Sequence, residues 1–295
     1  MHLAETKVGI KGKGSLRDYF EVIKPRETGL LVFIGVVTAV VAIDGSMPIG
    51  RFLFTLFTLI LASAGANGLT NYLDRDIDAR MERTRRRALP SGKIFPPERA
   101  LVFTSCLSAA GLIMAWYLHP VAFAADIVGT AAAVIYRKKV TCVFPQGMIA
   151  SCAPVVMGWF AARSTLDWEL LFLCVLIALW LPSHIWSVMI AHKEDYRNAG
   201  INYFPVNRSV KAVARILFIF CWLLYASSLG LYFGGHLGGL YLVAVNIAGI
   251  VIVYASWRLI LTSASADAWK LYKLSAFPYL GLIFLVMGLD IWLRL

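Results

Sequence analysis

Charged side chains make up only 15% of this 295-residue chain, against about 25% in an average soluble domain. Apolar residues reach 59%, and the mean hydropathy is +0.72. That balance excludes a disordered chain, a coiled coil and an ordinary water-soluble enzyme. Cysteine is also sparse: Cys106, Cys142, Cys152, Cys174 and Cys221 form no close pair, which excludes a disulfide or zinc framework and leaves them as small apolar residues. A secretory leader is not expected, since residues 1–27 are polar and the first apolar run carries no small-residue cleavage pattern. No strict short repeat is visible. Acids number 17 against 28 bases, for a net charge of +11. In a soluble protein this excess would point to nucleic acid. In a chain this apolar, what matters is where the charges sit along the membrane normal, and nucleic acid is not expected as a partner.

Long apolar runs are what the sequence has in quantity. A run of about twenty such residues crosses the hydrocarbon as a helix, because every backbone polar group must be satisfied internally. Nine runs are expected to do so, at roughly 28–43, 52–73, 100–118, 120–136, 143–162, 169–191, 213–233, 240–260 and 275–293. The split at His119-Pro120 calls for a tight turn; the alternative is one kinked helix, which would reverse everything downstream. Lysine and arginine test the count. Segments 1–27, 74–99, 137–139, 192–215 and 257–273 hold 25 of the 28, and the opposite side holds Arg51, Arg163 and Arg294. Nine spans with a cytoplasmic N-terminus place every basic segment inside. The expectation is an all-α polytopic membrane protein, its helices bundled around a central apolar cavity open to the cytoplasmic face of the cell membrane. Residues 1–27 form a cytoplasmic segment and 28–295 a single membrane domain.

The segment Asn67-Gly68-Leu69-Thr70-Asn71-Tyr72-Leu73-Asp74-Arg75-Asp76-Ile77-Asp78 carries the first chemistry. On a helix, Asn67, Asn71, Asp74 and Asp78 form one polar stripe. Two carboxylates on adjacent turns repel unless a cation sits between them, and an oxygen-rich site with open positions suits Mg²⁺ with bound phosphates. Arg83, Arg85, Arg86, Arg87 and Lys93 follow at once, as a diphosphate would need. For Arg85 to Arg87 the simpler reading is a solvated, topology-setting cluster.

A second cluster closes the sixth span. His184 lies in an apolar run about two turns before the charged end, and Lys193, Glu194 and Asp195 stand where the helix meets water. Asp195 is placed to supply a further metal carboxylate and Lys193 a diphosphate contact. His184 reads equally as a helix-packing hydrogen bond or as a base or metalloporphyrin contact. Spans two and six thus end alike, as two half-sites facing one cavity would. Lys24-Pro25-Arg26 precedes span one; proline starts the helix well, and Arg26 is placed to fold over the cavity mouth. Asp126, a lone acid, reads as structural, pairing with a Tyr or Trp across the bundle, and Asp290 as interfacial.

At these residues the sequence resembles the UbiA-type intramembrane prenyltransferases. The matching stretch runs from Asp74 to Lys93, Asp-Arg-Asp-Ile-Asp-Ala-Arg-Met-Glu-Arg-Thr-Arg-Arg-Arg-Ala-Leu-Pro-Ser-Gly-Lys. Within that superfamily it looks most like the haem O synthase branch. Lys24-Pro25-Arg26, Pro145-Gln146 with Pro154 and Gly158-Trp159, Trp180-Leu181-Pro182-Ser183-His184-Ile185-Trp186, and Lys193-Glu194-Asp195-Tyr196 carry that likeness. Departures include Thr70 where the superfamily has Asn, and Tyr136 followed by Val140, with Lys139 one place early. The resemblance implies Mg²⁺ held by Asp74, Asp78 and Asp195. The diphosphate of a prenyl donor would meet Arg26, Asn67, Asn71, Arg83, Lys193, Tyr136 and Lys139, with His184 joining Asp74, Asp78 and Asp195 in catalysis. The acceptor it implies is hydrophobic: haem b, or in related members a quinone precursor or a glyceryl phosphate lipid. A transporter or a haem-binding assembly protein is the alternative outside enzymes. The first would want polar residues along a whole transmembrane path, the second a partner for His184 among the other histidines.

Overall fold

The structure, a computed structural model, describes residues 12–43, 47–135, 144–234 and 237–293. The described residues form helices, with one isolated β-bridge between Lys13 and Ile94. Twelve α-helices follow in order: α1 Leu16–Val22, α2 Pro25–Ala42, α3 Ile49–Asp78, α4 Glu98–Leu118, α5 Pro120–Val134, α6 Gln146–Ala162, α7 Trp168–Ala191, α8 Lys193–Asn198, α9 Val210–Gly234, α10 Gly239–Thr262, α11 Ser265–Leu274 and α12 Leu282–Trp292. A π-helical stretch, Ser275–Gly281, joins the last two.

Helices occupy most of the described residues in the nine expected apolar runs. Seven helices among the described residues are long and apolar enough to cross a membrane: α2, α3, α4, α7, α9, α10 and the run from Ser265 to Trp292. The other two, α5 and α6, are apolar but hold 15 and 17 residues, so they reach only about 22 and 25 Å at 1.5 Å per residue, short of a hydrocarbon core of about 30 Å. The chain is therefore a multi-pass membrane protein. Its outward faces agree, carrying Trp116, Tyr117, Val128, Ile250 and Leu261 exposed, as lipid-facing positions are in a bundle that has no water to exclude.

The His119-Pro120 break is a turn between two helices and not a kink. His119 is extended, at φ −170° and ψ 142°. Its Nδ1 accepts from the Val121 backbone N–H at 3.1 Å, and its ring stacks on Phe160. The last span departs most from expectation. Residues 257–273 do not form a basic loop: α10 runs on to Thr262 and α11 begins at Ser265. The π stretch is kinked: Ala276 leaves the helical region at φ −73° and ψ −122°, two residues before Pro278, whose ring and missing N–H break the ordinary hydrogen-bond ladder.

Glycines bring the helices of the cavity wall together. A Cβ on Gly65 would lie 2.5 Å from the Ser108 backbone of α4, and one on Gly111 2.6 Å from that of Ala62. Across α2 and α6, a Cβ on Gly158 would run into the Gly35 carbonyl oxygen, and one on Gly35 would lie 2.8 Å from the Pro154 carbonyl. Backbone cannot yield as a flexible side chain can. Gly158→Ala is thus expected to destabilise the solubilised protein by about 1–3 kcal/mol, read as a lowered thermal midpoint. Gly29→Ala, where a Cβ meets open space, serves as control.

Candidate active site

A cavity of about 330 Å³ lies among α2, α3, α5, α6 and α7, with Tyr272 of α11 and Leu280 completing its wall. The length of α3 explains its polar mouth. Thirty residues make about 45 Å of helix, more than the hydrocarbon needs, so the end bearing Asn67, Thr70, Asp74 and Asp78 reaches the membrane edge. These four line the cavity, as do Lys24, Arg83, Arg87 and Tyr196. Deeper in, Leu30, Ile34, Ala62, Met157 and Leu181 form an apolar wall.

Asp74 and Asp78 are 2% and 3% exposed, on the same helix face one turn apart. Asp78 Oδ2 lies 3.4 Å from the Arg87 guanidinium, and its backbone carbonyl accepts from the Thr84 hydroxyl at 2.8 Å. Arg83 and Arg87 are four residues apart and both line the cavity, whereas Arg85 bonds Glu82 at 2.6 Å and Arg86 is exposed. Arg87 thus leaves the solvated cluster in which the sequence places it, and no helical spacing marked it, because residues 81–87 lie in turns.

Lys24 is the second residue that sequence reasoning passed over. Its backbone is left-handed, φ 51° and ψ 68°, a region costly for a residue with a Cβ and most often held at functional sites. The turn brings its Nζ to the Thr70 hydroxyl at 3.3 Å. Arg26, the expected contact, is exposed and outside the cavity lining. Asn67 stays at the cavity and donates to the Thr28 hydroxyl at 2.9 Å. Asn71 does not: its amide donates to the Val22 carbonyl at 2.6 Å and so ties α1 to α3.

The second cluster is arranged differently from the expectation. Asp195 Oδ1 accepts from the Glu82 backbone N–H at 2.6 Å, and Oδ2 from that of Arg83 at 3.3 Å. Its carboxylate therefore grips the α3–α4 loop rather than joining Asp74 and Asp78 in a three-acid cluster; among the described residues no group of three His, Cys, Asp or Glu side chains is placed to hold a metal. The next residue, Tyr196, is buried, with its hydroxyl 3.5 Å from the Arg83 guanidinium. Lys193 turns away and donates to the Arg208 carbonyl at 2.5 Å. Burial, and then the adjacent Arg197, pull its pKa below the usual lysine value, against the pull of Glu194. Tyr136 and Lys139 lie outside the described residues.

His184 is hydrogen-bonded between helices, as the packing reading expects, and it also lines the cavity. Its Nδ1 lies 3.0 Å from the Ser275 hydroxyl, which itself donates to the Tyr272 carbonyl at 2.8 Å. The imidazole is stacked between Trp180, at 4.7 Å and 20°, and Tyr272, at 4.6 Å and 32°. Trp180 Nε1 donates to the Ser275 carbonyl. A flat polar ring is thereby fixed in an apolar wall. Asp290 is buried and caps the start of α10 through the Gly238 and Tyr241 backbone N–H groups, which makes it structural rather than interfacial.

Two buried carboxylates with Lys24, Arg83 and Arg87 at the same mouth suit Mg²⁺, which is usually held by one or two carboxylates with substrate phosphates and water filling its remaining positions. The donor set of Asp74 and Asp78 fits that pattern, and a soft-metal or all-protein cage does not describe it.

The UbiA prenyltransferase family model matches residues 30–280. The chain is 33% identical over 300 residues to a protohaem IX farnesyltransferase of Desulforudis audaxviator, covering 99% of this chain and 93% of that protein. Among solved structures it resembles a digeranylgeranylglyceryl phosphate synthase (TM-score 0.76, 18% identity, 95% of this chain and 99% of that one). It also resembles a UbiA homologue from Archaeoglobus fulgidus bound to GPP and Mg²⁺ (TM-score 0.63, 13% identity, 92% and 99%). At these identities the structures speak for the fold.

Removing the Asp195 grip should loosen the α3–α4 loop. With hydrogen bonds to a charged group worth about 1.5–3 kcal/mol, Asp195→Ala is expected to raise the rate of tryptic cleavage between Arg83 and Arg87 roughly tenfold, read by mass spectrometry of the solubilised protein. An unchanged rate would remove the loop-holding role.

Proposed function

The chain belongs to the UbiA prenyltransferase family, and from that membership we propose that it transfers a farnesyl group from its diphosphate to protohaem IX, giving haem O. That it is a prenyltransferase follows from the family and from full-length relatives bearing that activity in their names. The observation that carries the mechanism is the meeting of buried Asp74 and Asp78 with Lys24, Arg83 and Arg87 at the mouth of an apolar cavity. We read the nine apolar helices of residues 28–295 as one membrane domain, with the N-terminus and the cavity mouth on the cytoplasmic side of the cell membrane. The basic segments support that orientation.

In this reading Asp74 and Asp78 hold Mg²⁺, which when bound supplies positive charge to the diphosphate leaving group. Lys24, Arg83 and Arg87 meet its remaining oxygens. Asn67 orients the donor from two turns further into the cavity along α3. As the allylic C–O bond breaks, its electron pair leaves on the diphosphate, and these preorganised cations face the charge where it grows. Leu30, Ile34, Met157 and Leu181 hold the tail and keep water from the allylic carbon. The terminal vinyl carbon of the porphyrin then bonds to that carbon. Water adds to the inner vinyl carbon and gives up a proton, leaving the hydroxyl. His184, fixed by Ser275 and its two aromatic neighbours, orients the flat acceptor. Asp195 acts through the loop it holds, setting Arg83.

The acceptor assignment rests on the sequence likeness to protohaem IX farnesyltransferases, since the structural neighbours show the fold alone. Product mass after incubation with Mg²⁺, farnesyl diphosphate and haem b tests it directly. A prenylated quinone precursor or glyceryl phosphate, with haem untouched, would change the acceptor and leave the reaction class. Diphosphate release also separates the enzyme from a transporter or a haem carrier.

Asp74→Ala and Asp78→Ala are each expected to lower Mg²⁺-dependent diphosphate release at least ~100-fold, and retained turnover in either would falsify the metal role. Lys24→Ala is expected to raise the KM for farnesyl diphosphate about tenfold, as loss of one charge-assisted contact does. Arg26→Ala should shift it by less than about twofold. The reverse order would return the diphosphate contact to Arg26.

A further inference from the structure

We propose that Tyr272 binds the diphosphate of the donor through its hydroxyl, an inference that rests on the prenyl-donor reading above. The residue lies on α11, outside the clusters that the sequence marks. It lines the cavity together with Asp74, Asp78, Arg83 and Arg87.

Its depth follows from a column of rings. Trp180 stacks on His184, and His184 on Tyr272. Tyr272 in turn stacks on Trp269 at 4.8 Å and 26°, and Trp269 meets His192 edge-on at 5.1 Å. The column follows α7 from Trp180 to His192, the C-cap, over about 18 Å of helix, and Tyr272 is its middle ring. Tyr272 thus stands about one to two turns inside the end of α7, and Asp74 one turn inside the end of α3. Those two ends lie together, since Asp195 just past α7 bonds the Glu82 backbone just past α3. The phenol and the carboxylates therefore share a level of the cavity, on different walls.

Orientation and need point the same way. His184 and Trp269 cover both faces of the phenol ring, so it offers only an edge to the cavity. The hydroxyl is within electrostatic reach of Glu27, Arg83, Arg87 and Arg26, which sets it at the charged mouth. Lys24, Arg83 and Arg87 come from the α2 side and from the α3–α4 loop, whereas the wall of α7, α11 and the π stretch brings no lysine or arginine to the lining. On that wall Trp180 gives its N–H to the Ser275 carbonyl, and His184 shares Nδ1 with the Ser275 hydroxyl. The Tyr272 hydroxyl is the donor nearest the mouth. A neutral donor there gives a directed hydrogen bond to an anionic oxygen without the cost of burying another charge. The phenol keeps its proton, and its bond strengthens as charge gathers on the departing diphosphate.

Tyr272→Phe keeps the stacked ring and removes the hydroxyl. The unsubstituted and Tyr272→Phe proteins, solubilised, are titrated with inorganic diphosphate in the presence of Mg²⁺ by calorimetry, and their thermal midpoints are measured alongside. The variant is expected to bind diphosphate about tenfold more weakly at an unchanged midpoint. Tyr254→Phe, on an exposed face of α10, should change neither. If Tyr272→Phe does not fold, Tyr272→Leu carries the comparison. Equal affinity in the variant overturns the proposal. A lowered midpoint with equal affinity also overturns it, since the hydroxyl would then tie α11 to Glu27 of α2. If the unsubstituted protein binds no diphosphate, the donor reading falls and this assignment with it; if it binds and the variant binds as well, only the role of Tyr272 falls.

Discussion

Two acids brought within one helical turn of each other at the edge of an apolar chamber govern the design of the site. Burial disfavours each charge and proximity disfavours the pair, so Asp74 and Asp78 need positive charge nearby. The fold supplies it from several directions: Arg87 lies against Asp78, and Arg83 and Lys24 stand at the same mouth. A chain segment that gathers acids and bases around one small opening, with hydrocarbon walls behind it, suits a molecule with an anionic head and a greasy tail. A prenyl diphosphate has that form.

Around the charged mouth the structure places a second tier that makes no contact with the chamber. Ser15 and Asp18 close a reciprocal cap on α1. Asn71 ties that helix to α3, and Val22, Ala88, Leu89, Ile94 and Ala100 form a small core beneath the α3–α4 loop. Asp195 grips the same loop from the other side. Arginine side chains are long and flexible, so fixing their backbone from two sides is what lets Arg83 and Arg87 keep a defined position. The His184 stack does the corresponding work on the opposite wall, where Trp180, Tyr272 and Ser275 restrain the imidazole.

The outline of the fold was readable because the membrane enforces a simple rule. Apolar runs must be helical, and basic loops favour one side, so the nine runs and their breaks stand out, including the turn at His119-Pro120. The acidic stripe was readable for a similar reason: helical spacing is fixed, and Asp74 and Asp78 must share a face. What spacing does not fix is direction outside a regular helix. Lys24 enters through a left-handed turn, and Arg26, two residues on, points elsewhere. Arg87 lies in a loop whose path depends on α1 and α8. The end of the chain differs because α11, which follows α10 after a short turn, precedes the last span and meets it at a kink at Ala276, just ahead of Pro278.

The sequence by itself determined the class of molecule, the placement of its helices and the pair of carboxylates, because hydrophobic length and helical period act over a few neighbouring residues. Only the tertiary structure decided which polar groups share the chamber. It turned Asn71, Lys193 and Asp195 toward backbone partners, and brought in Lys24, Arg87 and Tyr196. Those choices depend on contacts between segments tens of residues apart, where a side chain's direction follows from the rotation and tilt of whole helices packed against one another.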